Sequence, residues 1–214
     1  MQLMQLEREG VLESLGRVSV MTIKTVGEGM FEEFCISHNI LWEKIQEGAL
    51  PTPDYKVILN GISTYVEIKQ IDDDENFRGE VGSRTVGAHV RAKINEARKQ
   101  LKSIAREGPP AILLIYNNLD PMQLFGTDQH DFIAAMYGEL TIAIHTGNNQ
   151  ITDSFHGRNS SFRANKNTSF SAVGHLYKTK NGPRVHLYEN IFAKNPLSFS
   201  LLPGCFEVTR IALE

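Results

Sequence analysis

The chain has 214 residues, 41% hydrophobic and 22% charged, which is the balance of a globular protein and excludes a disordered one. Its 22 Lys and Arg against 25 Asp and Glu leave a formal charge of −3. The protein is therefore not globally basic, and any affinity for nucleic acid must come from local clusters of cations. Two isolated cysteines, Cys35 and Cys205, make no disulfide framework and lack metal-ligand spacing. The longest apolar run, Ala111 to Tyr116, is too short to cross a bilayer. The opening MQLMQLEREGVLESLG is mixed and acidic, unlike a signal peptide. The expectation is a soluble, cytoplasmic protein with no membrane partner.

The first predicted helix covers about 26–39. At 100° per residue, Phe31, Phe34 and Cys35 form its apolar stripe. Glu28 and Glu32 share a face at the edge of that stripe. Ile36 flanks Glu32, whereas Glu33 points to solvent. A hairpin follows in TPDYKVILNGISTYVEIKQ, residues 52–70. Asn60-Gly61 predicts a two-residue type I′ turn. That turn sets Leu59 opposite Ile62 and, counting back, Asp54 opposite Glu67. IDDDENF, residues 71–77, reads as a solvated loop.

A second helix is predicted over 90–106, with Val90, Ile94, Ala97, Leu101 and Ile104 at helical spacing. Gly108-Pro109-Pro110 stops it. AILLIYNN, from Ala111, is a continuous apolar run and predicts a fully buried strand. ELTIAIH, from Glu139, predicts another buried strand. HGRNSSFRANKNTSF, from His156, reads as a polar loop. AVGHLYK and RVHLYEN, around Lys-Asn-Gly-Pro, read as a late hairpin. This order predicts an α/β domain with a central mixed β-sheet flanked by helices. One domain spans 1–214, with its core at about 25–195, an accessory N-terminal segment and an accessory tail after Pro196. His145, His156, His175 and His186 show no ligand spacing. A phosphate-binding Gly loop and a G-x-S-x-G elbow are both absent from the sequence.

The chemistry concentrates in the hairpin. Strands usually avoid Asp, and like charges facing each other repel. Asp54 and Glu67 would have Cβ atoms about 4.5–5.5 Å apart, with Lys69 on the same face as Glu67. A cation between the carboxylates would relieve the repulsion, and hard oxygen ligands suit Mg²⁺ or Mn²⁺. The competing reading is a solvated hairpin face on which Lys69 neutralises Glu67.

Pro53-Asp54 followed by Glu67-Ile68-Lys69 resembles the signature of the PD-(D/E)xK nuclease superfamily. GEGMFEEF, residues 27–34, is similar to the first helix of such nucleases, and INEARKQL, residues 94–101, to the helix after the motif. The resemblance covers roughly residues 25–120. It implies a restriction-endonuclease-like core and a divalent metal held by Asp54, Glu67 and the backbone carbonyl of Ile68. It also implies that Glu32, or else Glu28, reaches the metal directly or through water. Lys69 would orient or deprotonate the attacking water, or stabilise the charged transition state.

The second helix has a basic side. Arg98, Arg91 and Lys102 fall at about 40°, 60° and 80° from Ile94, and Lys99 and Arg106 extend the patch. Such a cluster suits a phosphate backbone, although a solvated helix face reads the same way. Arg78, Arg84, Arg158, Arg163 and Lys166 lie in predicted loops that could clamp a substrate. The expected function is a metal-dependent phosphodiesterase acting on nucleic acid, DNA in preference to RNA. A homodimer is one expected assembly, since a double-strand cut needs two sites. The rival expectation is a non-catalytic nucleic-acid-binding or protein-interaction module on the same fold.

Overall fold

The structure, a computed structural model, describes residues 24–46, 48, 51–74, 84–104 and 108–211. In chain order the elements are α1 (Val26–Ser37), β1 (Leu41–Lys44), β2 (Tyr55–Leu59), β3 (Ile62–Ile71), α2 (Ala88–Ile104), β4 (Ala111–Asn117), α3 (Gln129–Tyr137), β5 (Glu139–Ile144), β6 (Ile151–Arg158), β7 (Ala172–Thr179), β8 (Gly182–Glu189) and β9 (Phe206–Thr209). Seven strands form one mixed sheet in the order β1-β2-β3-β4-β7-β8-β9, and β5 and β6 form a separate two-stranded sheet. The fold is α/β, with a mixed central sheet flanked by helices. Among the described residues no helix is long and apolar enough to cross a membrane.

The two faces of the central sheet bury different cores. Phe31, Phe34 and Cys35 of α1 pack on Val66, Ile68, Ile112 and Leu114. Val90, Ile94, Ala97 and Leu101 of α2, with Phe132 and Met136 of α3, pack on Leu113, Ile115 and Val173. Helical periodicity therefore identified both contact stripes. Ile104 closes α2, but its side chain and all of Arg106 lie outside the described residues. So do Arg78 and residues 75–77 of the acidic stretch. Thr25 caps α1 in a reciprocal box with Glu28, satisfying two of the donors that a helix start leaves open.

The Asn60-Gly61 turn forms with both residues at positive φ, 46° and 83°, as type I′ requires. Leu59 pairs with Ile62 and Tyr55 with Val66, so the hairpin register is the one counted from sequence. The β4 run is buried along its whole length between β3 and β7, both parallel to it. The late hairpin forms as β7 and β8, closing at Thr179 and Gly182.

Two readings are corrected. ELTIAIH is not a buried strand: as β5 it pairs, among the described residues, only with β6, and Leu140, Ile142 and Ile144 are exposed. Its apolar residues alternate with Glu139 and Thr141, a period of two that marks a one-sided strand. The loop expected from His156 begins later, because His156, Gly157 and Arg158 complete β6. Beyond them the polar stretch buries Phe162 and Phe170. The tail after Pro196 supplies β9, parallel to β8, and its Phe206 and Val208 pack against the α1-side core. α3 was not foreseen, although Asp128 and Asp131 form a capping box at its start.

Candidate functional site

β2 starts at Tyr55, and the register carried one residue further brings Asp54 opposite Glu67. Pro53 stands just before, buried and without an N–H. Continued again, the register sets Pro53 opposite Ile68, so the hairpin offers no donor to the Ile68 carbonyl. The Ile68 N–H, facing the same gap, donates to Asp54 Oδ2 at 2.7 Å. The place where β2 stops pairing is thus where Asp54 folds onto the edge of β3. Side chains alternate along β3. Val66 and Ile68 face α1, whereas Glu67 and Lys69 share the α2 side with their register partners Leu113 and Ile115.

Glu67 is only 1% exposed. Lys69 Nζ meets its Oε1 at 2.6 Å, while its buried Oε2 has no hydrogen-bond partner. Burial, then the negative charge of Asp54, push the Glu67 carboxyl up to about 7, against the pull of Lys69. Burial also raises Asp54, opposed by the Ile68 N–H and by Lys69, with Glu28 adding to the rise. A lone buried carboxylate oxygen is costly, and Lys69 satisfies only one side of the pair. The donors fit a hard divalent cation in kind: two carboxylates, the Ile68 carbonyl that Pro53 cannot reach with a donor, and one oxygen with its hydrogen-bonding capacity unused. Among the described residues, however, no three His, Cys, Asp or Glu side chains gather as a metal-binding group.

The acids of α1 lie beside this pair but are engaged elsewhere. Glu32 accepts from Tyr55 Oη at 2.8 Å and pairs with Lys24. Tyr55 lies in the α1-side core. Glu32 is therefore tied to the α1 side of the sheet, while Glu67 is on the other. Glu33 is exposed. Glu28 accepts from Lys44 at 2.7 Å and from the Thr25 N–H at 2.7 Å. Burial works against its charge, but Lys44 and Thr25 outweigh burial and hold its carboxyl below the usual range. Of the two α1 acids that the sequence favoured, it is Glu28 whose charge acts on Asp54. Gln70 points to the α1 side, where its Oε1 accepts from the Gly27 N–H at 2.7 Å. A Cβ at Gly27 would lie 3.1 Å from Tyr116 Cβ and 3.2 Å from Ile68 Cγ2, so glycine lets α1 sit close to the motif strand.

Arg98, Lys99 and Lys102 are exposed on α2. Arg91 is not a free cation: it donates to the Val86 carbonyl at 3.2 Å and to the Asn159 carbonyl at 3.0 Å. Arg84 is likewise structural. It pairs with the buried Asp131 and stacks over Phe125 at 4.7 Å, and Asp131 also accepts from the Gly87 N–H at 2.7 Å. Arg163 donates to Ser160 Oγ at 2.9 Å and Lys166 to the Ser160 carbonyl at 3.2 Å. Arg158 is exposed on β6. His175 is a core residue, 6% exposed.

Sequence reading missed Lys44 and Tyr55. Lys44 comes from β1, a four-residue strand too short to carry a pattern. Tyr55 was legible in principle: it follows Asp54, so it must face the other side, toward the predicted first helix. Comparison with protein-family models, with curated proteins and with solved structures finds no match.

Proposed function

We propose that the chain is a divalent-metal-dependent nuclease that hydrolyses phosphodiester bonds, in DNA in preference to RNA. The observation that carries this reading is Glu67: a buried carboxylate beside Asp54, with one oxygen unpartnered and an ammonium on the other. Folding gains nothing evident from that arrangement, and strongly perturbed carboxylates of this kind mark functional sites.

Asp54, Glu67 and the Ile68 carbonyl would hold Mg²⁺ or Mn²⁺, and Glu28, the α1 acid whose charge acts on Asp54, would be the one to act through water. A bound ion of this kind polarises the scissile phosphate and makes water a better nucleophile. The chain's own contribution is positional. Asp54 is fixed by the Ile68 N–H, so its second oxygen has a set direction. Lys69 is a half-buried ammonium beside Glu67, placed to orient the attacking water or to stabilise charge that develops on the phosphate. The exposed Arg98 and Lys102 supply cations for the phosphate backbone.

A second reading, a non-catalytic nucleic-acid-binding module, is favoured by one observation: no group of three ligating side chains gathers among the described residues. The test is cleavage of single-stranded DNA, double-stranded DNA and RNA by the purified chain, with Mn²⁺ and with chelator, beside Asp54→Asn. Metal-dependent cleavage that Asp54→Asn loses supports the nuclease. No cleavage of any substrate, with nucleic-acid affinity indifferent to Asp54, supports the module. Equal cleavage by both proteins means a contaminating nuclease and ends the catalytic assignment.

A further inference from the structure

β5 and β6 pair with each other and with no other strand among the described residues. Side chains alternate across a strand, so Leu140, Ile142 and Ile144 share one face of this ribbon, at 52%, 50% and 55% exposure. Ile151 is paired with Ile144 and is 66% exposed. Ser154 and His156, the partners of Ile142 and Leu140, complete the face. An isolated two-stranded ribbon is marginal in water. Four bare aliphatic side chains in a row on it form the kind of patch that marks an interaction.

We propose that this face packs against the same face of a second copy of the chain, so that the ribbon is the centre of a two-fold homodimer. Charge argues against a nucleic-acid occupant and permits a second copy. Over residues 139–158 the ribbon carries Glu139 and Asp153 against Arg158 alone, so it has no field to attract a polyanion, and an aliphatic face gives phosphates nothing to bond. A two-fold interface uses the same patch on both copies, so residue i meets j, j meets i, and residues near the axis meet their own counterparts. Ser154 and His156 interrupt the aliphatic row without a carboxylate or guanidinium, so two copies meet with no like-charge conflict. The area falls short of a standard interface and fits a weak dimer that dissociates on dilution. Four half-exposed aliphatic side chains amount to on the order of 300–400 Å² per copy, about half of the roughly 800 Å² that each partner gives a standard interface. Among the described residues neither strand pairs with a third on its outer edge, so both edges lie beside the patch to extend it. The dimer stands apart from the nuclease chemistry, since a non-catalytic chain would form it equally.

The test is the mass of the full chain in solution, by light scattering and sedimentation equilibrium, from low-micromolar to the highest soluble concentration. The expected result is a species of twice 24.0 kDa that dissociates on dilution. The double variant Ile142→Lys, Ile144→Lys should be a monomer with an unchanged far-ultraviolet circular dichroism spectrum. A wild type that stays monomeric throughout overturns the proposal, as does a dimer that survives the double variant. Should the double variant fail to fold, Ser154→Cys in a Cys205→Ser background decides. A short bis-maleimide should crosslink it to a covalent dimer, and failure to crosslink overturns the proposal.

Discussion

Two regions of the central sheet bury titratable side chains on the same face, and they resolve the cost in opposite ways. Lys69 pairs in register with Ile115, Ile115 with His175, His175 with His186, and His186 with Glu207. One row thus runs from the candidate site to the far edge of the sheet. At its centre, His175 lies between Phe132 and Tyr177, with ring centroids 5.8 and 5.0 Å away. Burial, then the neighbouring His186, push its pKa down to about 4. Near neutral pH the imidazole is uncharged, so its Nε2, which is buried without a hydrogen-bond partner, leaves a neutral polar atom unsatisfied rather than a charge. At the β3 end of the row, Glu67 has a second carboxylate and an ammonium for neighbours, and its pKa of about 7 leaves it poised between charge states. Discarding charge makes His175 a packing residue. The carboxylate pair brings two acids and an ammonium together at a cost to the fold, which is the arrangement the proposed metal site would use.

The sharpest way to break this comparison is to remove the ammonium. Lys69→Ala should lower metal-dependent cleavage by about 10²–10⁴-fold, the usual range for a group acting in proton transfer or charge stabilisation. Metal binding should survive, because lysine is not a ligand. Titration calorimetry with Mn²⁺ beside the cleavage assay reads both. Loss of Mn²⁺ binding together with cleavage would mean that Lys69 only holds the carboxylates in place.

Stability in chelator tests the two buried groups against each other. Glu67 has a folded pKa above its ordinary value, so the folded state favours its protonated form. Its burial is tolerated below about pH 4.5 and is penalised as pH rises through about 7. Glu67→Gln should therefore be more stable than wild type at pH 8, by about 1–3 kcal/mol, with the difference vanishing near pH 4.5. His175 has the opposite sign. Its folded pKa lies below 6.5, so its contribution is complete above pH 6.5 and is lost as pH falls toward 4. His175→Gln should flatten that acid limb and leave the pH 7–8 region unchanged in slope. Urea melts of the three proteins between pH 4 and 8 check both signs. Parallel curves for wild type and Glu67→Gln would show that Glu67 is not the strained member.

Much of this contrast was readable from sequence, and the reason is local. Asn60-Gly61 fixes a register, and a register fixes which residues face each other five positions back from Leu59, so Asp54 and Glu67 followed without tertiary information. The stripe of α2 was legible because Val90, Ile94, Ala97 and Leu101 repeat at the helical period. What was not legible depends on the third dimension. Nothing in Arg84 or Arg91 says that a buried Asp131 or the Val86 and Asn159 carbonyls will take them. Glu32 looked like the metal-facing acid because it borders the buried stripe. The stripe, however, docks on the Ile68 face of β3, and Tyr55 takes Glu32 there. The failure at ELTIAIH had a local signal that was overridden: alternation with Glu139 and Thr141 marked one exposed face.

The smallest expected effect separates the cations of α2. Sequence spacing grouped Arg91, Arg98 and Lys102 as one patch, but the structure divides them. Arg91 ties the start of α2 to the Val86 and Asn159 carbonyls, so its guanidinium is committed to the fold. Arg98 and Lys102 project into solvent. If they meet the phosphate backbone, each lost contact should lower the slope of log affinity against log salt by about 0.9 on duplex DNA. Arg98→Ala with Lys102→Ala should therefore flatten the slope by nearly two and leave the melting temperature within error. Arg91→Ala should do the reverse, lowering the melting temperature while keeping the slope. Fluorescence anisotropy across a salt series, run beside melting curves, reads both quantities on the same samples. An unchanged slope in the Arg98, Lys102 double variant would make that face a solvated helix surface, and the phosphate contacts would then have to come from elsewhere on the molecule.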